Sequence, residues 1–238
     1  MSSSTWTPPA VASSARRTRA RLWRAVEAQH VVSTLRLVDS LEEQRVLEEI
    51  LDATKPAIPP PARKLHYLLF TPFRYAAPYG SRFRAVTDPG VFYGGEELRT
   101  ACAELGYWRW RFLSDSKGLT QLGPAAQTLF EVAVRTPAVD LGRPPFARDA
   151  ARWKDPVDYS ATQAFGGVAR EAGIGLIRYA SVRDPRGGRC GAVLRPDAFS
   201  PPHPVSPTQT WMLTVTRDFA VWQRDREAYE FDMRRWAN

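Results

Sequence analysis

Between Phe73 and Glu104 the chain sets Arg74, Tyr75, Arg82, Tyr93 and Glu104 in turns or at element ends, and Ser181 follows on a strand of the other half. Guanidinium groups suit bidentate contact with a pyrophosphate or carboxylate, and a tyrosine ring stacks on a flat heterocycle. A carboxylate stabilises a developing oxocarbenium ion. Such a set suits a pyridine dinucleotide whose glycosidic bond is to be broken. On pattern alone each residue also has an ordinary structural account. Arg74 and Arg82 are then surface ion-pair partners, Tyr93 a half-buried strand aromatic, Glu104 a solvated helix residue and Ser181 a strand hydroxyl bonded to backbone.

The elements that must position these groups read as follows. Residues 1–14, rich in Ser, Thr, Pro and Ala, read as disordered. Ala15 to Gln29 fits a helix, with Leu22, Val26 and Trp23 set against Arg16, Arg17, Arg19, Arg21 and Arg24. Val31 to Val38 reads as a short extended connector. Ser40 and Glu43 form a capping box for a helix from Leu41 to Thr54, and the proline run from Pro56 to Pro61 stops it. These features divide the chain into a tail plus helical extension over 1–62 and a main domain over 63–238.

Leu65 to Phe70 reads as the first strand of that domain. A helix beginning near Glu96 buries Leu98, Ala101, Cys102, Leu105 and Trp108 and leaves Glu104 at the border of that face. In its continuation, Tyr107 to Phe112, aromatics alternate with arginines. This can signal single-stranded nucleic-acid binding, or Trp108 and Phe112 in the core with arginines reaching outward. Leu129 to Val134 fits a strand, and Arg135 to Pro156 reads as loop. Ala161 to Ala172 fits a helix closed by Gly173. Ile174–Val182 and Cys190–Leu194 form a hairpin about the Asp184–Gly188 turn, and Thr210–Thr216 and Phe219–Gln223 form a second. Strands that neighbour in sequence, with few helices, predict an α+β fold with mixed or antiparallel sheets.

Length and composition bound the function classes. A chain of 238 residues with 44% hydrophobic and 24% charged residues is ordinary for a soluble globular protein. The apolar runs are too short for a bilayer span and Met1 to Pro9 lacks the form of a secretory signal, so the expectation is a cytoplasmic protein without membrane contact. Cys102, Cys190 and the scattered His30, His66 and His203 offer neither a disulfide framework nor metal-ligand spacing, so no metal is expected. A net charge of +8 favours an acidic partner: nucleic acid, a phosphate-bearing small molecule or an acidic protein.

Several ordered pieces carry a resemblance: Phe73-Arg74-Tyr75, Gly80-Ser81-Arg82-Phe83, Gly90-Val91-Phe92-Tyr93, Thr100-Ala101-Cys102-Ala103-Glu104, and Gly175 through Ser181 to Arg183. Arg82 to Tyr93 and Tyr93 to Glu104 are both eleven residues apart. Over roughly residues 65 to 200 the chain resembles the RES-domain family. That family is named for an arginine, a glutamate and a serine, and is known for toxins of bacterial Xre–RES type toxin–antitoxin modules. The N-terminal part is similar to that of a longer RES subgroup.

The resemblance implies a fold similar to ADP-ribosyltransferase toxins, in keeping with the lack of a Gly-x-Gly-x-x-Gly fingerprint. It implies NAD as substrate rather than a prosthetic group, its nicotinamide–ribose bond cleaved by hydrolysis or, with inorganic phosphate, by phosphorolysis. Alternatives are mono-ADP-ribosylation of a protein and, from another class, a nucleic-acid-binding module without catalysis.

By the same resemblance, Arg74, Tyr75, Arg82, Tyr93, Glu104 and Ser181 make up the NAD site, with Glu104, Arg82 and Ser181 as its catalytic members. Arg74 and Arg82 fall to the pyrophosphate or nicotinamide ribose, Tyr93 to ring stacking, Glu104 to the oxocarbenium-like transition state and Ser181 to positioning. An antitoxin protein is the implied partner, with the N-terminal helices serving that contact or homo-oligomer formation. Family members often show Gly-Gly-Arg-Trp-Asn where this chain has Gly80-Ser81-Arg82-Phe83-Arg84, which puts activity rather than fold in question.

Overall fold

The computed structural model describes residues 6–28, 38–75 and 77–236. In chain order its elements are α1 (Pro8–Ser14), β1 (Arg16–Glu27), α2 (Leu41–Thr54), α3 (Tyr67–Arg74), β2 (Phe92–Gly95), α4 (Leu98–Asp115) and β3 (Gln121–Asp140). They are followed by α5 (Ala150–Trp153), α6 (Ser160–Glu171), β4 (Leu176–Ala180), β5 (Arg189–Val193), β6 (Gln209–Thr216), β7 (Phe219–Arg224) and β8 (Glu227–Asp232). The fold is α+β with one mixed sheet, as the sequence predicts. Its order is β1-β2-β5-β4-β3-β6-β7-β8, and β1 also pairs with β3. The first five strands therefore close into a ring, while β6 to β8 continue as an antiparallel wing.

The segment expected as a helix over Ala15 to Gln29 is instead β1, paired antiparallel with β3 from Arg16↔Ala138 to Glu27↔Gln127. Its arginines at 17, 19 and 21 alternate with Thr18, Ala20 and Leu22, a period of two that suits a strand with one wet face. Leu22 is fully buried. Sheet pairing along the whole of β1 outweighs the modest helix preference of Arg, Ala and Leu. At the ring's closure Trp23 meets Gly95, and a Cβ on neighbouring Gly94 would lie 2.9 Å from the Trp23 carbonyl oxygen. Only a residue without a side chain lets these two backbones approach so closely.

Other expectations are corrected in the same way. Residues 8–14, expected as disordered, form α1, because Val11 and Trp6 find apolar partners and the Trp6 indole donates to Asp149 Oδ2 at 2.9 Å. The expected strand over Leu65 to Phe70 is the helix α3, whose first turn is capped by His66 Nδ1 accepting from the Leu68 amide. A short apolar run fits either element, and here Leu68 and Leu69 bury one face of a helix. The region expected as loop from Arg135 begins as the end of a long strand, since β3 runs on to Asp140 and pairs in parallel with β4. β8 was not expected and pairs with β7.

The α2 helix matches its expected span, and the Glu43 amide donates to Ser40 Oγ at 3.1 Å. The Glu43 carboxylate accepts from the Asp39 amide, one residue earlier than a simple capping box. Of the connector over Val31 to Val38, residues 31–37 lie outside the described residues.

In α4 the buried side is rotated from the expected one. Thr100 to Ala103, Gly106, Tyr107, Trp110 and Leu113 are buried, whereas Trp108 and Phe112 are half exposed. Trp211, Trp222 and Phe231 of the antiparallel wing receive this face, and side-chain-free Gly106 lets Trp222 approach. The arginines between point outward and pair with carboxylates, Arg109 with Glu27 and Arg111 with Asp115.

Candidate active site

The site is assembled where α4 crosses the ring. Gly95 ends β2 directly opposite Cys190 of β5, and a Cβ there would meet the Ala101 amide at 2.7 Å. The first turns of α4 therefore lie tightly against the strands. Thr100 Oγ1 donates to Asp184 Oδ2 at 2.8 Å, and Arg99 pairs with the other oxygen of the same carboxylate. Asp184 sits in the turn between β4 and β5, so this buried cluster clamps that turn to the helix. A Cβ at Gly188 would fall 2.1 Å from Thr100 Oγ1, so the clamp closes only over glycine.

The clamp places Ser181 under Glu104. Ser181 Oγ accepts the amides of Arg183 at 3.1 Å and Asp184 at 2.9 Å, so its proton is directed to Glu104 Oε1, 2.5 Å away. Residues 77 apart in sequence thus form one hydrogen-bonded pair. Arg183 stacks over the Tyr107 ring, 3.5 Å from its centroid, and the Trp236 indole donates to the Arg183 carbonyl at 3.0 Å. The turn has little freedom to move.

Arg82 and Tyr93 approach from the other side. Arg82 is buried, its Nη1 donating to the carbonyls of Trp153 and Asp155, each at 3.0 Å, with its guanidinium 4.5 Å from the Tyr159 ring centroid. The Tyr93 hydroxyl accepts the Phe83 amide at 2.9 Å and lies 2.8 Å from Ser81 Oγ. Burial raises its pKa, with partial relief from those two bonds and from Arg170 and Arg82. Tyr179, deep between the two sides, registers both. Burial pushes its hydroxyl up, the charges near Cys190, Glu104 and Tyr93 push further, and Arg82 opposes them. Tyr179 meets Phe83, the residue after Arg82, edge-on at 4.9 Å and is the cross-strand partner of Cys190, whose thiol reaches Glu104, so the loop that carries Arg82 and the Glu104–Ser181 pair border one buried tyrosine.

Arg74 and Tyr75 make contacts of a different kind. Arg74 closes α3, donates from Nε to the Pro56 carbonyl at 2.6 Å and faces the half-exposed Tyr75 ring. These contacts tie the proline run to the end of a helix.

The departures at Phe83 and Arg84 have structural roles. Phe83 is fully buried and meets Tyr179 edge-on at 4.9 Å, filling core beneath the site. Arg84 donates to the carbonyls of Ala77, Tyr79, Val86 and Asp88 and so cross-links the loop that presents Arg82. Sequence reasoning missed Arg170, which donates to Asp88 and to the Phe83 carbonyl, Gln163, which donates to the Ser81 carbonyl, and Cys190. Nothing in their spacing marks them, because all reach the site through tertiary packing.

Of the arginine cluster expected on a helix, Arg16, Arg17, Arg19 and Arg21 are exposed along β1, whereas Arg24 is partly buried and donates to the Tyr93 carbonyl at 2.9 Å. Arg19 stands directly opposite Arg135 of β3, and with Arg21 and Ser200 they line an open groove. Arg21 pairs with Glu131, while Arg19 and Arg135 form no ion pair among the described residues. No group of three or more metal-binding side chains occurs among the described residues, and no helix there is long and apolar enough to cross a membrane.

The RES domain family model matches residues 58–216, more than half of the chain. This protein therefore belongs to the RES-domain family. Among solved structures it is similar to a chain of the M. tuberculosis MbcT–MbcA toxin–antitoxin complex, with a TM-score of 0.52 and 13% identity. The likeness covers 85% of this chain and 90% of that one, and at this identity it speaks to the fold. No curated protein sequence matches.

Proposed function

We propose that this protein is a toxin that consumes NAD by cleaving the nicotinamide–ribose bond. The observation that carries the reading is the Glu104 carboxylate held by Ser181, bordering the same buried Tyr179 as the loop that carries Arg82, in a chain of the RES family. As the glycosidic C–N bond breaks, its electron pair neutralises the pyridinium nitrogen and positive charge grows on the ribosyl carbon. A fixed carboxylate stabilises that charge without having to reorganise. Water or inorganic phosphate then forms the new C–O bond; with water, one proton is released. Arg82, already anchored through Nη1 to two carbonyls, supplies its remaining guanidinium donors to a pyrophosphate oxygen. Ser181 fixes the carboxylate.

An antitoxin protein is the proposed partner, encoded with this chain and able to suppress its activity in the cytoplasm. The reading is tested by incubating the purified protein with NAD, with and without phosphate, and measuring nicotinamide release. Glu104→Gln is expected to lower release at least about 100-fold, within the range for removing a stabiliser of transition-state charge. Labelled ADP-ribose recovered on protein rather than free would redirect the reading to ADP-ribosyl transfer. Absence of nicotinamide release together with normal growth on expression would end it.

A further inference from the structure

Around Glu104 one group has no role in the scheme above. Cys190 lies on β5, paired with Tyr179 of β4 on one side and Gly95 of β2 on the other, and is 1% exposed. Cross-strand partners share a face of a sheet. Because Gly95 carries no side chain, the space beside the thiol is open for α4, which brings Glu104 over it. Cys190 Sγ is 3.6 Å from Glu104 Oε1, the same oxygen that accepts from Ser181. Burial, followed by the Glu104 charge and its hydrogen bond, pushes the thiol pKa well above 9.0. At neutral pH it is an S–H donor.

We propose that Cys190 is a positioning residue for Glu104: its S–H and the Ser181 O–H together occupy Oε1, fixing the carboxylate so that Oε2 faces the ribosyl carbon of NAD. The catalytic part of this inference rests on the proposed NAD-cleaving function; the hydrogen bond itself does not. A strand paired on both sides cannot easily swing the thiol away, so the donor is as rigid as the sheet. Two donors on one oxygen also remove the rotational freedom that a single hydrogen bond leaves to a carboxylate.

Infrared spectroscopy of the S–H stretch tests the bond directly in the full chain. Cys190→Ala identifies the Cys190 band by its loss, leaving that of Cys102. In Glu104→Ala, which lacks the acceptor, the Cys190 band is expected to move to higher frequency. An unmoved band overturns the inference whether or not the protein cleaves NAD. If it does not cleave NAD, the proposed function falls and the band alone decides whether the thiol holds Glu104.

With NAD as substrate, Cys190→Ala and the bulkier Cys190→Val are each expected to lower kcat about five- to tenfold, as for one lost hydrogen bond, with KM little changed. In a Glu104→Gln background either substitution is expected to have no further effect on residual kcat. Unchanged kcat in both variants, or an equal loss in the Glu104→Gln background, would show that the thiol merely fills space.

Discussion

The Ser181–Glu104 corner and the arginine ladder of β1 use charge in opposite ways. In the corner the charges are paired: Asp184 is shared by Arg99 and Thr100, and Ser181 bridges two amides to Glu104. On the ladder Arg19 faces Arg135 in register, and both are exposed. The difference follows from burial. A charge removed from water needs a nearby counter-charge or hydrogen bonds, whereas exposed like charges repel weakly through a high dielectric. Mutual satisfaction of polar groups marks the region whose geometry is fixed; a high count of arginines does not.

The largest test of this contrast is Asp184→Ala. It strands the Arg99 guanidinium, whose side chain is only 12% exposed, and frees the turn that carries Ser181. Breaking such a pair from one side is expected to cost about 3–5 kcal/mol, read by chemical denaturation, with turnover falling in parallel. Stability equal to wild type would mean that the clamp is dispensable.

High pH gives an intermediate test. Cys190, Cys102, Tyr93 and Tyr179 are all raised above their ordinary values, first of all by burial. Their folded forms hold protons that the unfolded chain releases. The stability this provides is full below the ordinary thiol and phenol values of 9.0 and 10.0 and is lost as pH rises through the higher folded values. Denaturation midpoints are therefore expected to fall steadily above about pH 9. A flat profile to pH 11 would contradict the burial of these protonated thiols and phenols.

The smallest expected effect belongs to the ladder. Arg135→Glu replaces a directly opposed like pair by an opposite pair and is expected to stabilise the fold by about 0.2–1 kcal/mol, less at high salt. Loss of stability on that substitution would mean that the ladder carries a structural contact after all.

Much of the site was legible in the sequence because it depends on residue type and order. The glutamate falls at the edge of a helical face, and Ser181 stands at a strand end before a Pro-Arg-Gly-Gly turn. The α+β class, the α2, α4 and α6 helices and the β4–β5 hairpin were legible for the same reason: their periodicity and turn residues are local. The arginine run is a strand that local sequence does not reveal, because Arg, Ala and Leu favour a helix modestly and only pairing with β3 makes period two decisive. Likewise Leu65 to Phe70 is short and apolar enough for either element, and packing chose the helix α3.

By itself the sequence determined which side chains are available, the order in which Arg82, Tyr93, Glu104 and Ser181 occur, and the glycines at 94, 95 and 188 that permit close backbone approach. The tertiary structure alone decided that Ser181 lies under Glu104, that Cys190 shares the same oxygen, and that Arg74 turns to Pro56. Those contacts join residues far apart in the chain, and only closure of the ring and the crossing of α4 bring them within hydrogen-bonding distance.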